Sequence, residues 1–399
     1  MRTYLDHAAT TPVRPQVAQT FTEVFAQVGN PSSVHADGRR ARRMLEEARE
    51  ELAAALGAEP AEVIFTSGGT EADNLAITGT WLGVSAAAPA RTGVVISAVE
   101  HPAVLEAGQA LADRNGAGLH LAPVDAEGRL RTDALAEHLA AHGSTTAVVS
   151  VMWANNETAT IQPVADVVEL ARAHGIAVHT DAVQAVGRVP VNFGASGVDA
   201  LSLSGHKVGA PVGFGALLAR RELPLSPVAH GGGQERSVRS GTIPVAGAVA
   251  LARAVTLAEA DREAEHRRLS ALASKLITGV REQVPGAVLR GPEPGPERLP
   301  GHVLVTIEGT DAEAVLFALD MAGISAASGA ACRAGVTQPS RVLEAMGADD
   351  AEARSALRLT LGHTSTDADV DALLAALPDV VQRARQAYAP RRTEAEVSS

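Results

Sequence analysis

The chain has little cysteine and few aromatic side chains. Only one of its 399 residues is a cysteine, Cys332, and Phe, Trp and Tyr together make up 3% of the sequence. A single cysteine cannot form an internal disulfide bond, so nothing indicates folding in an oxidising compartment. With so few aromatic residues, the core must be built from Ala, Val and Leu. The hydrophobic content of 46% is ample for a core of that kind.

Positive charge and long apolar runs are also scarce. Lys and Arg number 34 against 46 Asp and Glu, and the net charge of -12 argues against direct binding of nucleic acid. The first seven residues, MRTYLDH, lack the apolar stretch of a signal peptide. No apolar run approaches the length of a membrane span, because Arg, Glu or Gly interrupts the alanine-rich segments. We therefore expect a cytoplasmic protein with no membrane partner.

Short β-rich runs alternate with helical patterns in the first part of the chain. Five runs that are mostly apolar on both faces are typical of buried strands, namely Val63–Thr66, Val94–Ser97, Val148–Val151, Ile176–His179 and Ala200–Leu203. Helical patterns lie among them at Met44–Leu56, Pro102–Arg114 and Pro163–His174. This order predicts an α/β fold with a mostly parallel sheet between helices.

A second domain is predicted beyond a long helical pattern, Val245–Val284. The Gly/Pro-rich loop at 291–296 follows that pattern and indicates a domain junction. After the loop come strands at Val303–Ile307 and Leu357–Leu361 and helices at Glu313–Met321 and Asp367–Tyr388. The predicted division is a large domain at 15–258, a small α+β domain at 1–14 and 259–389, and a disordered tail at 390–399.

Polar groups follow several predicted strands at their carboxyl ends, where open α/β sheets bind ligands. The segment Thr66–Glu71 contains paired glycines that let backbone N–H groups approach an anion, and Thr70 could donate to a phosphate. The same segment could be an ordinary helix cap. Asp181 could be a general base, a metal ligand, the counter-ion of a buried cation, or a plain helix cap.

The segment Ser204–Lys207 carries the strongest local signal. An unpaired buried ammonium is costly, but that cost disappears when a lysine is used as a Schiff base. Ser204 and His206 offer further phosphate donors, although Lys207 could also be a solvated surface lysine. The segment Gln234–Thr242 suits an oxyanion or is a solvated charged loop. A phosphate cradle, an aspartate and a lysine at adjacent strand ends together predict a site for pyridoxal 5′-phosphate, PLP.

Cys332 lies in a stretch of small residues, SAASGAACRAG at 325–335. A lone cysteine in such a sequence could be a small buried hydrophobe. It could equally be a reactive thiol on a mobile arm, because the neighbouring Arg333 favours the thiolate. Composition alone leaves both interpretations open.

The motifs taken in order resemble those of the cysteine desulfurases, the NifS/IscS-like branch of the class V aminotransferases. These are fold-type I PLP-dependent transferases. The resemblance covers nearly the whole chain through Tyr4–Pro12, Asn30–His35, Phe65–Asn74, Glu100–Glu106, Asn155–Glu157, His179–Gln184, Ser204–Lys207, Arg239–Thr242, the Cys332 loop and Pro339–Leu343.

The resemblance implies a homodimeric enzyme that removes sulfur from L-cysteine. The products would be L-alanine and a persulfide on Cys332, destined for an acceptor protein. Lys207 would hold PLP as a Schiff base and move the Cα proton, while His101 would stack on the ring and handle protons. Asp181 would pair with the pyridine nitrogen, and Gln184 would bond to the phenolic oxygen.

The remaining site residues also come from the resemblance. The cofactor would be contacted further by Gly69, Thr70, Asn156, Ser204, His206 and, across the subunit interface, Thr242. Asn156 and Arg358 would bind the substrate carboxylate. No resident metal is implied, although Cys332 could transiently contact an iron–sulfur cluster. The persulfide could serve iron–sulfur cluster assembly, tRNA thiolation or another cofactor pathway.

Three positions depart from the family pattern, and other functions remain open. Ala330 stands where the family usually has Ser, Val212 where it has Lys, and Ser237 where it commonly has Gly. Selenocysteine lyase and a class V aminotransferase are alternative activities on this scaffold. A non-catalytic binding module is a third alternative, against which the intact Lys207 argues.

Overall fold

The computed structural model describes residues 2–329, 332–333, 336–337 and 339–396, with only the backbone given for Cys332 and its strand neighbours and from Tyr388 onward. The strands are β1 Thr3–Tyr4, β2 Val63–Thr66, β3 Gly93–Ser97, β4 Gly118–Ala122, β5 Thr146–Ser150, β6 Ala177–Asp181, β7 Ala200–Ser204, β8 Gly215–Ala219, β9 Ala287–Arg290, β10 His302–Ile307, β11 Ile324–Ser325, β12 Cys332–Arg333, β13 Val336–Thr337 and β14 Ala356–Thr360.

The helices follow the same chain order. They are α1 Pro15–Phe25, α2 Ala36–Leu56, α3 Gly69–Asn74, α4 Thr80–Ala87, α5 Pro102–Asn115, α6 Thr132–His142, α7 Val164–Arg172, α8 Phe193–Ser196, α9 Val245–Gln283, α10 Ala312–Met321, α11 Arg341–Ala345, α12 Asp350–Arg354 and α13 Asp367–Glu396. A π-helical turn, Leu75–Gly79, joins α3 to α4 without a break.

A seven-stranded sheet in the order β2-β8-β7-β6-β5-β3-β4 forms the centre of the larger part. Strands β7, β6, β5, β3 and β4 are parallel, and β8 runs antiparallel between β2 and β7. Every residue of β2, β5, β7 and β8 is buried, as expected for strands covered by helices on both faces. The predicted α/β fold with a mostly parallel sheet is confirmed.

Two of the sheet strands, β4 and β8, were not among the sequence predictions. The β8 segment GALLA is a short apolar run, and such runs cannot be assigned to strand or helix from periodicity. Helix α2 also begins earlier than its apolar pattern suggests. It starts at Ala36 because the His35 side chain accepts a hydrogen bond from Gly38 N and so caps the first turn.

A smaller α+β part contains the antiparallel sheet β14-β10-β9. Its core is separate from that of the larger part and includes Leu5 from the N-terminal segment. The long helix α9 joins the two cores, since Ala258 packs in the first and Leu269 in the second. We therefore propose domain boundaries at 15–258 for the large domain and at 1–14 with 259–389 for the small one.

The last helix continues past its expected end at Tyr388. It runs to Glu396 and so includes most of the segment 390–399, which the sequence predicts to be a disordered tail. The Arg, Glu and Ala residues after Pro390 are good helix formers, which accounts for the extension. No helix in the described part of the chain has both the length and the apolar character needed to span a bilayer.

Candidate active site

A cavity of about 770 Å³ lies at the carboxyl ends of the central strands. Ten of the residues predicted from the sequence line it together: Gly69, Thr70, His101, Asn156, Asp181, Gln184, Ser204, His206, Lys207 and Arg358. They come from distant parts of the chain. The parallel order of the strands brings them to one edge of the sheet, as such sheets do at their ligand sites.

The strands β6 and β7 place the two groups with the strongest predicted roles. Asp181 is the last residue of β6 and pairs in register with Ser202 of β7. Strand β7 ends at Ser204, and one 3₁₀ turn, Gly205–Lys207, then carries Lys207 to the cavity wall. Asp181 and Lys207 therefore lie at the ends of neighbouring strands.

The Lys207 ammonium is held by the N-terminal segment. Its Nζ donates to the carbonyl oxygens of Ala8 and Ala9, the latter at 2.8 Å. Burial and the nearby Arg358 charge lower the pKa of Lys207 to about 8, although Asp181 and Asp6 oppose the shift. A substantial fraction of the amine is therefore neutral slightly above pH 7.

Asp181 is almost completely buried. Burial raises its pKa to about 6, whereas the hydrogen bond from Val183 N at 2.8 Å and the charge of Lys207 act in the opposite direction. The carboxyl group consequently still carries a negative charge at pH 7. A buried carboxyl group that is ionised at pH 7 can form an ion pair with a protonated ring nitrogen.

Gln184 and His302 form a hydrogen-bonded pair beneath the cavity. The Gln184 Nε2 donates to Ala8 O at 3.0 Å, and its Oε1 lies 3.3 Å from His302 Nε2. Burial lowers the pKa of His302 well below its ordinary value, so the ring is neutral. These contacts fix the orientation of the Gln184 amide and leave one N–H for another acceptor.

His101 caps the helix α5 and lines the cavity at the same time. Its Nδ1 accepts from Ala103 N at 3.1 Å, so the ring proton of the neutral form lies on Nε2. Burial, followed by the charges of Lys207 and Arg358, lowers the pKa of His101 to about 4. The imidazole is therefore an uncharged ring in the site at neutral pH.

The paired glycines Gly68 and Gly69 stand at the start of α3. Gly68 has φ of +154°, and a Cβ on it would meet no atom within 4 Å. A Cβ on Gly69 would instead lie 2.9 Å from Val183 Cγ2 and 3.4 Å from Ser204 Cβ. A side chain at position 69 would therefore clash where the start of α3 approaches the strand ends. The next residue, Thr70, lines the same cavity as Gly69.

Arg358 points its guanidinium toward the N-terminal segment and the β5–α7 connection. Its Nη2 donates to Asp6 Oδ1 at 3.1 Å, and Nη1 donates to Asn156 O at 3.4 Å. Its buried Nε has no acceptor among the described residues. The side chain is only 8% exposed. A substrate carboxylate would give this buried cation a further partner.

Three buried acids at the cavity have no role predicted from the sequence. Asp73, Glu100 and Glu157 all line it. One carboxylate oxygen of Asp73 and one of Glu100 accept no hydrogen bond from the described residues. Their motifs were recognisable, since Glu100 precedes His101 and Glu157 follows Asn156, but nothing in the sequence showed that these acids are buried.

Two predicted residues are not among the described residues of this cavity. Thr242 lines a separate depression with Arg49 and Glu235, and it is not among the residues of the main cavity. The Cys332 side chain lies outside the described part of the structure, as do Ala330 and its neighbour. The ends of its loop are described, and both Gly329 and Pro339 line the cavity.

With this geometry in place, the chain can be compared with known proteins. The model of the family "Aminotransferase class-V" matches residues 3–373. An IscS-like cysteine desulfurase of Mycobacterium tuberculosis is 49% identical over 96% of this chain and 97% of its own length. A cysteine desulfurase of Gluconacetobacter diazotrophicus is 43% identical over 96% of this chain and 94% of its own.

Solved structures agree with the sequence relatives. A NifS-like protein superposes with a TM-score of 0.87 at 33% identity, covering 96% of this chain and all of its own. DndA from Streptomyces lividans superposes with a TM-score of 0.74 at 38% identity, covering 90% of this chain and 99% of its own. The chain belongs to the class V aminotransferase family and, within it, to the NifS/IscS-like cysteine desulfurases. The family predicted from the motifs is confirmed.

Proposed function

We propose that this enzyme removes sulfur from L-cysteine, releases L-alanine and keeps the sulfur as a persulfide on Cys332. The main support is that Lys207, Asp181 and Arg358 line one cavity, whose wall also includes both ends of the Cys332 loop. In the overall reaction the Cys332 sulfur bonds to the substrate sulfur and gives up its proton. The substrate C–S bond breaks, its electron pair stays on carbon, and carbon takes up a proton.

We infer that PLP is the cofactor. The residues fit it: an amine of lowered pKa for its aldehyde, a buried carboxyl group for its pyridine nitrogen, and bare glycine backbone with hydroxyl and imidazole groups for its phosphate. When bound, PLP supplies an electron sink that makes the Cα–H and C–S bonds of the substrate easier to break.

The chain's own groups then take defined tasks. Lys207 Nζ accepts and returns the proton at Cα, for which a pKa of about 8 keeps both of its protonation states accessible. Arg358 binds the substrate carboxylate with two N–H donors, beside Asn156. His101 presents an uncharged ring that can stack on the cofactor and hold a proton on Nε2.

We propose a cytoplasmic homodimer in which each chain lends Thr242 to the phosphate of the other. The location of Thr242 outside its own cavity supports this arrangement. The acceptor is proposed to be a protein of iron–sulfur cluster assembly, because similar proteins carry the name IscS. Enzymes of tRNA or cofactor thiolation are the second class to test.

The decisive experiment uses the purified enzyme with L-cysteine. L-Alanine is quantified, and the peptide that contains Cys332 is examined by mass spectrometry for added sulfur. Cys332→Ala should abolish reductant-dependent turnover. Since the chain has one cysteine, any protein-bound persulfide is assigned without ambiguity. Full turnover by Cys332→Ala would contradict the proposal.

Borohydride reduction tests the cofactor site separately. After borohydride treatment, the parent enzyme should yield a reduced PLP adduct on Lys207, and Lys207→Arg should yield none. Arg is the matched variant because it keeps the positive charge but cannot form the adduct. An adduct on another lysine, or none in the parent enzyme, would overturn the assignment of Lys207.

A further inference from the structure

The loop that carries Cys332 begins and ends at the same buried carboxyl group. After the loop, Ser340 Oγ donates to Glu157 Oε2 at 2.5 Å. Before the loop, Gly329 lies so close that a Cβ on it would stand 2.5 Å from the same oxygen. Glu157 is 8% exposed and Ser340 is fully buried, so water does not compete for these contacts.

Each end of the loop is also attached to a regular element. On the first side, Ala327 exchanges two backbone hydrogen bonds with Arg358 of β14, at 3.2 and 2.7 Å. On the second side, Ser340 Oγ accepts from Leu343 N at 3.1 Å and so caps α11. The substrate-binding arginine and the start of a helix therefore lie directly next to the two contacts of Glu157.

Glu157 is itself fixed from the other direction. Its backbone N–H donates to Asn155 Oδ1 at 2.8 Å, and Asn155 Nδ2 donates to Val99 O at 2.9 Å. Both residues belong to connections of the large sheet. A side chain anchored in the large domain thus binds Ser340 at one end of the Cys332 loop and lies close to Gly329 at the other.

A role in packing alone does not explain an acid at this position. A buried carboxyl group loses its hydration, and an apolar side chain of similar volume would fill the same space at lower cost. The carboxyl group accepts a hydrogen bond from Ser340 and lies against Gly329, and the charge of Arg358 acts on it. The carboxyl group of Glu157 therefore acts as a hydrogen-bond acceptor at the point where the loop is attached.

We propose that Glu157 is a positioning residue for sulfur transfer: it holds Ser340 by a hydrogen bond, packs closely against Gly329, and thereby fixes where the Cys332 loop begins and ends. The importance of the loop's position rests on the proposed function, but the attachment of Ser340 does not. Loss of the carboxyl group should free Ser340 and open space beside Gly329.

The test measures the alkylation rate of Cys332 by iodoacetamide in the holoenzyme. The sole thiol makes the readout specific for this loop. Glu157→Ala removes the hydrogen bond to Ser340 and should raise the rate by about tenfold, the change expected from losing one hydrogen bond. Gly329→Ala would place a Cβ 2.5 Å from Glu157 Oε2 and so displace the carboxyl group or the loop end, which should raise the rate by a similar factor. Glu157→Gln keeps an acceptor oxygen for Ser340 and should stay within about threefold of the parent.

Ser340→Ala is compared with Ser355→Ala as a matched control. Both serines are buried in the small domain, but Ser355 Oγ donates to Glu352 O instead of to Glu157. Ser340→Ala should raise the alkylation rate and Ser355→Ala should not. Thermal unfolding and the borohydride adduct on Lys207 verify that each variant is folded and loaded.

Single-turnover kinetics supply the functional readout. Glu157→Ala should slow persulfide formation on Cys332, and Glu157→Gln, which keeps an acceptor for Ser340, should slow it much less. Alkylation rates of Glu157→Ala and Gly329→Ala within twofold of the parent would overturn the proposal. If the parent enzyme formed no alanine, the proposed function would fail, yet the alkylation rates would still decide the role of Glu157.

Discussion

Asp73 Oδ1 lies 3.7 Å from His179 Nε2, and both side chains are 1% exposed, yet the two do not form an ion pair. Burial lowers the pKa of His179 to about 3. Burial and the charge of Asp181 raise the pKa of Asp73 well above its ordinary value. The His179 ring is therefore neutral at pH 7, and it is hydrogen-bonded to Ser150 and Ser202 at 2.9 Å each.

The raised pKa of Asp73 predicts how the free energy of unfolding depends on pH. A folded-state pKa above the unfolded value means that the folded chain holds a proton that the unfolded chain has lost, so this group's contribution to stability falls as pH rises above about 4. Asp73→Asn removes that loss. Urea unfolding at pH 5 and pH 8 should show that the variant gains stability relative to the parent at the higher pH.

The surface residue Asp113 provides a control for this comparison. Asp113→Asn should leave the pH dependence of the parent unchanged, because the exposed carboxyl group of Asp113 carries no burial cost. Parallel stability curves for the parent and Asp73→Asn would mean that Asp73 is ionised in the folded enzyme.

Lys207 predicts the pH dependence of PLP binding to the cofactor-free enzyme. Only the neutral amine attacks an aldehyde, and the pKa of Lys207 is lowered to about 8. The association rate, followed by absorbance, should rise about tenfold for each pH unit below 8 and level off above it. A rate that still climbs steeply between pH 9 and 10 would show that the lysine is not shifted.

The central residues of the site could be predicted from the sequence because their positions are set by the ends of strands. Asp181 and Lys207 each follow an apolar run, and parallel strands bring such positions to one edge of the sheet. The glycines before α3 are likewise visible as a turn. Predicting these features requires only the local sequence pattern and the fold class.

The remaining site residues are placed by tertiary contacts, which the local sequence pattern does not reveal. Arg358 is one arginine among many and was found only through the family motifs. Asp73 and Glu157 look like solvated acids in the sequence, and their burial is decided by elements far along the chain, such as Ser340 for Glu157. The antiparallel β8 was missed because its run of small apolar residues has no distinctive period.

Arg358→Lys should weaken L-cysteine binding far more than a conservative change usually does. A single ammonium cannot reproduce two parallel hydrogen bonds to a carboxylate, so KM should rise by roughly 10- to 100-fold. Asp6→Asn, which keeps an acceptor for Arg358 Nη2 at its 3.1 Å contact, is the matched milder change. Equal KM values for the parent and Arg358→Lys would remove Arg358 from the substrate site.

Mixed dimers decide whether Thr242 serves the other chain's site. Thr242 lines a depression apart from its own cavity, so we expect it to act across the subunit interface. A dimer of one Lys207→Ala chain and one Thr242→Ala chain would then contain one site with both defects and one site with neither. That dimer should bind PLP tightly at one site and show about half of the parent activity, whereas each variant homodimer is impaired at both sites.

The same mixed dimer would behave differently if Thr242 contributed to the site of its own chain. If Thr242 served its own chain, both sites of the mixed dimer would carry one defect each, and the activity would stay at the level of the impaired homodimers. Co-expression with two affinity tags isolates the mixed species, and the PLP content per dimer is read from absorbance. Because Lys207→Ala removes the adduct entirely, borohydride trapping also shows which chain holds the cofactor.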